Sequence, residues 1–503
     1  MAAQERLDAA ARGAPAFPHL PLLIAGAALF AVLLVAGGSA SALNASLGLA
    51  LAAGLVGLGA IARFAPRTLC GVLLLCLAGS IAIPIDKSFA YHDHLGGWPG
   101  LRFAVADIPL LLLAVVAPLG ALLGRIESGI PRRVVALMAL LLFWYTAAAL
   151  GAPNKTLAGF EIAATLHSFL IAWIVASLFR RNLLGAILAL LALQVTVHGA
   201  FAIAQGVTGR PIGTTLVGEL IVTDLVKFHL GGEAELRPAG LFPHPIVLAT
   251  YLVITLPLLA ARLATQRGIA MRLLLLAAIV TGGAGLVFSL ARGAWISLTV
   301  AMVVLAVLAL RSRLLGARQL RAIAIGGFAL ALVFGAAFAP RIYNRFTKAD
   351  PSSLASRFDM DRIALRMIAA NPVFGTGLNN YILTSPAYDT EGTMSDFHAP
   401  VHNVYFLEAA ESGIPALLLL LALFGSFLLT GLHYLPRMHD PELAWVVAAL
   451  LAALVGLLVT QLADFSARLE PLRSMIWFQV GLLFGVLQAD RMHRVAGRPA
   501  ARV

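Results

Sequence analysis

The sequence is poor in charge and nearly free of cysteine. Only 12% of its 503 residues are charged and its mean hydropathy is +0.91, whereas about a quarter of the residues in soluble domains are charged. Cys70 and Cys76 share one apolar run, form neither a CxxC motif nor a zinc spacing, and are expected to pack as small buried thiols. These shortages exclude a soluble domain with a disulfide framework and predict a polytopic membrane protein.

The excess of basic residues, a formal charge of +12, has a simple explanation in membrane topology. The sequence has no Lys/Arg run interleaved with aromatic residues, so no nucleic-acid partner is expected. The arginines fall instead in short gaps between apolar runs. That distribution is the one produced by the positive-inside rule.

The apolar runs predict the fold class, which is all-α: a polytopic transmembrane helical bundle of about 12 to 14 spans forming a single membrane domain over residues 1–503. The stretch from Leu273 to Leu310 is too long for one crossing and must turn back near Ser289. The candidate spans are 19–37, 43–62, 68–85, 103–123, 134–152, 157–178, 183–207, 244–261, 273–290, 293–310, 322–340, 404–430, 443–463 and 474–489.

The arginine distribution also predicts an orientation. Placing both termini in the cytoplasm puts 21 of the 36 basic residues on the inner side. Two long segments then face outward, at residues 208–243 and in a large outer loop at 341–403. Long loops are translocated regardless of charge, so the arginines that these segments carry do not contradict the orientation.

The second outer loop contains a predicted amphipathic helix, in the stretch DPSSLASRFDMDRIALRMIAANP. Ser352 or Ser353 is the candidate N-cap and Asn371-Pro372 ends the helix. Met360, Ile363, Ala364 and Met367 form an apolar stripe at helical spacing. On the polar side, Arg357 is placed to pair with Asp361, while Arg362 and Arg366 repel each other at i, i+4. A basic amphipathic helix suits either a membrane surface or an anionic substrate.

Two residues at predicted membrane edges are candidate functional groups, each with a plainer alternative. Arg292, in SLARGAW, either extends to lipid headgroups or binds phosphate oxygens in bidentate fashion. His402 is either an interfacial or capping residue or a catalytic base. His398 lies four residues before His402, but Pro400 stands between them and no HExxH glutamate follows, so no metal site is predicted.

These segments together resemble a known family. The stretches SLARGAW, SRFDMDRIALRMIAANPVFGTGLNNY and HNVYFLEAAESGIPA, with RPAGLFPHPIVLATYL before them, are similar to the bacterial O-antigen ligases and to the related polysaccharide polymerases and protein O-glycosylating ligases. The resemblance covers residues 237–430. His402, Asn403 and Gly413 match the family's terminal motif, and Ala416 stands where the family has a second glycine.

The resemblance implies an enzyme of the bacterial inner membrane that uses no metal or other cofactor. It implies transfer of a glycan from undecaprenyl diphosphate to an acceptor on the periplasmic side, the acceptor being a glycan, lipid A-core or a protein. Arg292 and Arg357 are implied to act at the donor diphosphate and His402 as the base. The further candidates for substrate binding are Arg237, Asn403, Arg362 and Arg366, with Asn403 expected either to orient His402 or to cap the following helix.

Several alternatives stay open at the level of sequence. Glu408 and Glu411 either hold water or a sugar hydroxyl or pack with an internal polar partner. Ligase, polymerase and protein transferase differ in acceptor, which no residue identifies. A transporter or flippase of polysaccharide or lipid is the alternative from another class, with Asp107 and Glu161 inside predicted spans. An enzyme is favoured by the large outer loop, and attack opposite the diphosphate predicts inversion at the sugar C1.

Overall fold

The computed structural model of the protein describes most of the chain after residue 65. Of the first unit, residues 1–73, it describes 66–73, and the second unit is residues 74–503. The described residues are 66–89, 97, 99–122, 129–210, 212, 227–230, 233–314, 335–336, 339, 343, 347, 352–392 and 399–496.

Helices make up most of this part of the chain, as predicted for the all-α class. In chain order they are α1 Pro66–Ser80, α2 Asp107–Leu122, α3 Arg132–Leu150, α4 Lys155–Leu178, α5 Leu184–Thr208, α6 Pro245–Thr265, α7 Ile269–Phe288, α8 Arg292–Arg311, α9 Ser352–Ala370, α10 Tyr381–Thr384, α11 Val404–Tyr434, α12 Pro441–Thr460 and α13 Leu472–Ala496. Short 3₁₀ turns at Arg181–Leu183, Ser385–Tyr388, Leu435–Arg437 and Ser466–Arg468 lie between them.

The only strands in the described residues form two short antiparallel hairpins. Strand β1 (Asp86–Phe89) pairs with β2 (Leu101–Ala104), and β3 (Lys227–Leu230) pairs with β4 (Glu233–Leu236). Both hairpins lie in segments that connect helices, so they leave the helical class unchanged.

Nine helices in the described part of the chain are long and apolar enough to cross a membrane. They are α3 to α8 and α11 to α13. The predicted spans at 19–37, 43–62 and 322–340 lie outside the described residues, and each of the others corresponds to a helix. The predicted reversal near Ser289 is confirmed, because α7 ends at Phe288 and α8 begins at Arg292. The prediction for the cysteines holds for Cys70, which is buried, whereas Cys76 is exposed.

Helix α9 is the predicted amphipathic helix, and its apolar stripe is its buried face. It begins at Ser352 and ends at Ala370, just before Asn371-Pro372. Its four predicted stripe residues join a buried cluster, whose members are Met360, Ile363, Ala364, Met367, Tyr381, Ala399, Val401, Leu407 and Ala410. Leu407 and Ala410 belong to α11, so this cluster fixes α9 on the first turns of the long helix. Burial of each large apolar side chain contributes about 1.5–3 kcal/mol to that attachment.

Candidate functional site

His402 lies where the chain enters helix α11. Asn403 is the N-cap of that helix, and its side-chain oxygen accepts hydrogen bonds from the backbone N–H groups of Tyr405 and Phe406 at 3.0 and 3.2 Å. Of the two roles expected for Asn403, the structure therefore shows that of capping the helix. The cap fixes the backbone of His402 at the helix entrance, where the imidazole packs edge-on against Phe465 with ring centroids 5.5 Å apart.

The imidazole of His402 is held neutral. Burial and then the positive charge of Arg357 lower the pKa of His402 to about 4, while a backbone hydrogen bond at Pro400 acts in the opposite direction. A neutral imidazole is able to accept a proton near pH 7. The interaction also places Arg357, on α9, within electrostatic reach of His402.

Arg357 interacts electrostatically with the other predicted arginine, Arg292, and with a carboxylate. Burial and the positive charge of Arg292 lower the pKa of Arg357, whereas Asp464 and Asp361 act to raise it. The structure thus brings Arg292, at the start of α8, and Arg357, on α9, close enough to interact. Two like charges so placed favour an anion between or beside them.

Asp464 is a member of this site that the sequence did not indicate. Burial raises the pKa of Asp464 to about 6, against hydrogen bonds from Ser466 and Phe465 and the positive charge of Arg357. Its Oδ2 is buried without a hydrogen-bond partner. The carbonyl oxygen of Asp464 accepts a hydrogen bond from Val404 N at 3.1 Å, which attaches the turn after α12 to the start of α11. No motif marks this aspartate, because it is 62 residues from His402 in the chain and only folding brings the two together.

Arg237 and His244 complete the polar group at this end of the bundle. Arg237 donates from Nε and Nη2 to the carbonyl oxygen of Ser289, at 3.1 and 3.0 Å, in the turn that precedes Arg292. His244 caps α6, its Nδ1 accepting from Ile246 N at 3.2 Å. Burial, then the positive charges of Arg237 and His402, lower the pKa of His244 to about 3. His244 was within the resembling segment RPAGLFPHP but had not been predicted as a site residue.

Gly413 interrupts α11, and the interruption explains why a glycine occupies this position of the motif. Its φ is +84°, and a Cβ at this position would lie 1.9 Å from the carbonyl oxygen of Val373. The carbonyl groups released by the break accept hydrogen bonds from Thr376 N and Gly377 N, and Ile414 N donates to Pro372 O. These bonds attach the loop that follows α9 to α11, directly below His402, so a local backbone conformation positions the helix that carries Arg357.

A buried ionic network lies beneath the site. Arg468 Nη1 donates to Glu411 Oε2 at 2.6 Å, and Arg473 Nη2 donates to Glu161 Oε1 at 2.5 Å. Arg468 Nη2 lies 3.5 Å from the same Glu161 oxygen. The alternative of an internal polar partner is thus correct for Glu411. Glu408 also has internal polar partners, a hydrogen bond with Tyr145 and the positive charge of Arg468. It lines a cavity of about 80 Å³ beside this network, large enough for several water molecules.

Arg362 and Arg366 both lie close to a carboxylate of their own loop. Arg366 Nη2 donates to Glu391 Oε1 at 2.8 Å, and Arg362 lies 3.3 Å from Asp359 and 3.9 Å from Glu391. Glu391 lies between the two arginines and relieves the repulsion expected from their spacing. Contact of these two arginines with substrate stays a prediction.

The described part of the chain is a polytopic helical membrane protein with two arginines and a neutral histidine grouped at one end of its bundle. Residues 276–421 match the sequence model of the family described as O-antigen ligase. This matched segment, less than a third of the chain, is similar to that family and contains Arg292, Arg357 and His402.

Comparison with individual proteins adds little to the family match. No curated protein matches the chain. Among solved structures, a similar chain comes from the work "Structural coordination of polymerization and crosslinking by a peptidoglycan synthase complex", with 17% sequence identity and a TM-score of 0.40 over 72% of this chain and 98% of that chain. A similarity of this size carries no functional information for the present protein.

Proposed function

We propose that this membrane enzyme of polysaccharide biosynthesis is a glycosyltransferase of the O-antigen ligase type. It transfers a glycan from undecaprenyl diphosphate to an acceptor hydroxyl at the periplasmic face of the bacterial inner membrane. The observation that carries the proposal is the grouping of Arg292 and Arg357 with a neutral His402 at the entrance of a membrane helix.

The proposed reaction follows from the chemistry of these three groups. The guanidinium groups of Arg292 and Arg357 bind the donor diphosphate and stabilise the negative charge that grows on it as the C1–O bond breaks. His402 accepts the proton of the acceptor hydroxyl, whose oxygen forms the new bond to C1. Undecaprenyl diphosphate leaves with the electron pair, and attack from the opposite side inverts C1. The arginines supply the positive charge, so the reaction needs no metal, and EDTA is expected to leave the rate unchanged.

A transporter is the less favoured alternative, because of where the charges inside the spans lie. Glu161 is in the second turn of α4 and Arg473 is in the first turn of α13. Both therefore lie near the end of the bundle that carries His402, rather than at the middle of a span, where coupling sites of transporters are found. An ion pair in that place fits a support beneath a catalytic pocket.

The glycan profile of a deletion strain separates the activities within the enzyme class. Unligated lipid-linked polymer is the result expected for a ligase, and single repeat units are expected for a polymerase. Bare acceptor proteins would identify a protein transferase. An unchanged profile of surface and lipid-linked glycans would contradict the proposal.

The residue assignments are tested with purified variants and a lipid-linked glycan donor. His402→Ala, Arg292→Ala and Arg357→Ala are each expected to lower transfer by about 100-fold or more, the range for loss of a general base or of a charge-stabilising group. Arg210→Ala is the control, since this arginine is exposed and is not part of the candidate site. Full activity of His402→Ala would show that another group removes the proton.

A further inference from the structure

A polar pocket lies at the opposite end of the membrane bundle from His402. It is a groove of about 810 Å³ between the start of α3, the end of α11 and the last turns of α13. With its 31 residues, α11 would span about 45 Å at the rise of a straight helix, so the groove and His402 are separated by roughly the length of a membrane span.

The groove is cationic and open. Arg132, Arg133, His433 and Arg491 line it, all four are exposed, and no carboxylate is among the described residues of its walls. None of the three arginines forms an ion pair with a carboxylate in the described part of the chain. Asp490, the neighbour of Arg491, has an oxygen that accepts from the backbone N–H groups of His439 and Asp440.

Two of the arginines are held in place by contacts that leave their charge available. The Arg491 guanidinium stacks over the ring of Tyr434, 4.0 Å from its centroid. Arg133 Nη2 donates to the hydroxyl of Thr430 at 2.9 Å. Stacking and one neutral hydrogen bond orient a guanidinium but do not neutralise it, so these groups keep N–H donors for an anion.

The charges of Arg132 and Arg133 also lie at the end of α3 where the helix dipole disfavours positive charge. Arg132 and Arg133 occupy the first turn of α3, which has no acidic residue, and Pro131 makes no side-chain cap. The positive end of the helix dipole and the two arginines therefore repel one another in the empty protein. A bound anion removes that repulsion.

The remaining wall is apolar and exposed. Leu429 and Leu432, on the outer side of α11, are 68% and 44% exposed. A ligand that suits both walls has a phosphate headgroup and hydrocarbon chains. From this complementarity we infer that the groove is a binding site for one anionic phospholipid, whose phosphate is held by Arg132, Arg133 and Arg491 while its chains lie along Leu429 and Leu432.

The test uses the purified full-length protein in detergent, with native mass spectrometry and thermal unfolding as readouts. Phosphatidylglycerol is titrated against phosphatidylcholine with the same acyl chains, and inorganic phosphate is the probe for a free anion. We expect one phosphatidylglycerol per protein to be retained in preference to phosphatidylcholine, and to raise the unfolding temperature. Inorganic phosphate at the same concentration is expected to raise it much less.

The variants distinguish a specific lipid-binding site in the groove from the general attraction of anionic lipid to a basic membrane face. Arg132→Gln/Arg133→Gln/Arg491→Gln is expected to weaken retention about 100-fold, the product of roughly fivefold for each charge near an anionic headgroup. The matched control, Arg267→Gln/Arg272→Gln/Arg311→Gln, removes three exposed arginines from the same end of the bundle but outside the groove. It is expected to change retention by no more than about twofold.

Three outcomes overturn the inference: equal loss in the two triple variants, equal retention of phosphatidylcholine, or equal stabilisation by inorganic phosphate. Should the groove triple variant not fold, Arg491→Gln alone gives the same answer with an expected loss of about fivefold. This variant and the lipid titration need no glycan donor, so their result is independent of the proposed transfer reaction.

Discussion

Arg237 donates two hydrogen bonds, of 3.1 and 3.0 Å, to the carbonyl oxygen of Ser289. Ser289 lies three residues before Arg292. The turn that Arg237 holds contains Leu290 at a φ of +56°, a left-handed conformation that a leucine adopts only when its surroundings impose it. One arginine of the resembling segment therefore fixes the backbone from which the second one projects. In the proposed reaction, Arg237 acts in this way on Arg292.

Replacement of Arg237 by lysine tests this positioning. A lysine keeps the charge but cannot donate two parallel hydrogen bonds to one carbonyl oxygen. The turn is expected to loosen, and glycan transfer to fall about 10- to 100-fold, because displacement of a catalytic group by about 1 Å has effects of that size. The measurement is kcat and KM for the lipid-linked donor. Arg210→Lys, at an exposed arginine of the same outer segment, is the control and should transfer normally.

The pH dependence of kcat/KM decides which group takes the proton, since this ratio reports on the free enzyme. His402, facing Arg357 and His244, has its pKa lowered to about 4, so it stays neutral at all higher pH values. Asp464, facing Arg357, has its pKa raised to about 6 and is ionised only above that value. With His402 as base, kcat/KM is expected to stay level as the pH falls through 6 and to decrease toward about 4.

Asp464→Asn provides the comparison for that profile. This variant should keep the decrease near pH 4 if His402 is the base. A wild-type profile that falls near pH 6, together with loss of this fall in Asp464→Asn, would assign the proton transfer to Asp464 instead. Both groups interact with Arg357, so only the position of the acid limb separates them.

The parts of the site that could be predicted are those that local sequence encodes. Spans follow from the length of apolar runs, and α9 follows from the spacing of Met360, Ile363 and Met367 together with the Asn371-Pro372 end. Asp464 could not be predicted, because its role depends on burial beside α9 and on contacts distant in sequence. The pairing of Arg362 and Arg366 with Glu391 was missed for the same reason: a helix pattern does not show which loop carboxylate folds back onto it.

Gly413 is expected to tolerate no side chain. Gly413→Ala would place its Cβ against the carbonyl oxygen of Val373 and requires a positive φ, so the break in α11 must shift. We expect a loss of stability of about 2 kcal/mol or more and a strong loss of transfer, because Arg357 and His402 are joined through this loop. Gly425→Ala, in the same helix and with nothing within 4 Å of the added Cβ, should be neutral or slightly stabilising. Thermal unfolding and transfer rates check both variants.

Removal of Arg468 is expected to destabilise the protein strongly. It is 6% exposed and lies between the carboxylates of Glu411 and Glu161. Arg468→Met therefore leaves both buried carboxylates with less positive charge to balance them. Breaking one partner of a buried pair costs about 3–5 kcal/mol. The turn Ser466–Arg468 follows Asp464 and Phe465, so transfer is expected to fall as well.

A comparison with an exposed pair makes this prediction specific. Glu391→Gln weakens the pair with Arg366, whose partners are 37% and 49% exposed, and is expected to change stability by about 1 kcal/mol or less. The double variant Arg468→Met/Glu411→Leu should recover part of the lost stability, because it removes the buried charge of Glu411 instead of leaving it without its partner. Thermal unfolding of the three variants in one detergent measures these differences. Equal shifts for Arg468→Met and Glu391→Gln would mean that water reaches the network and that the network does not support the candidate site.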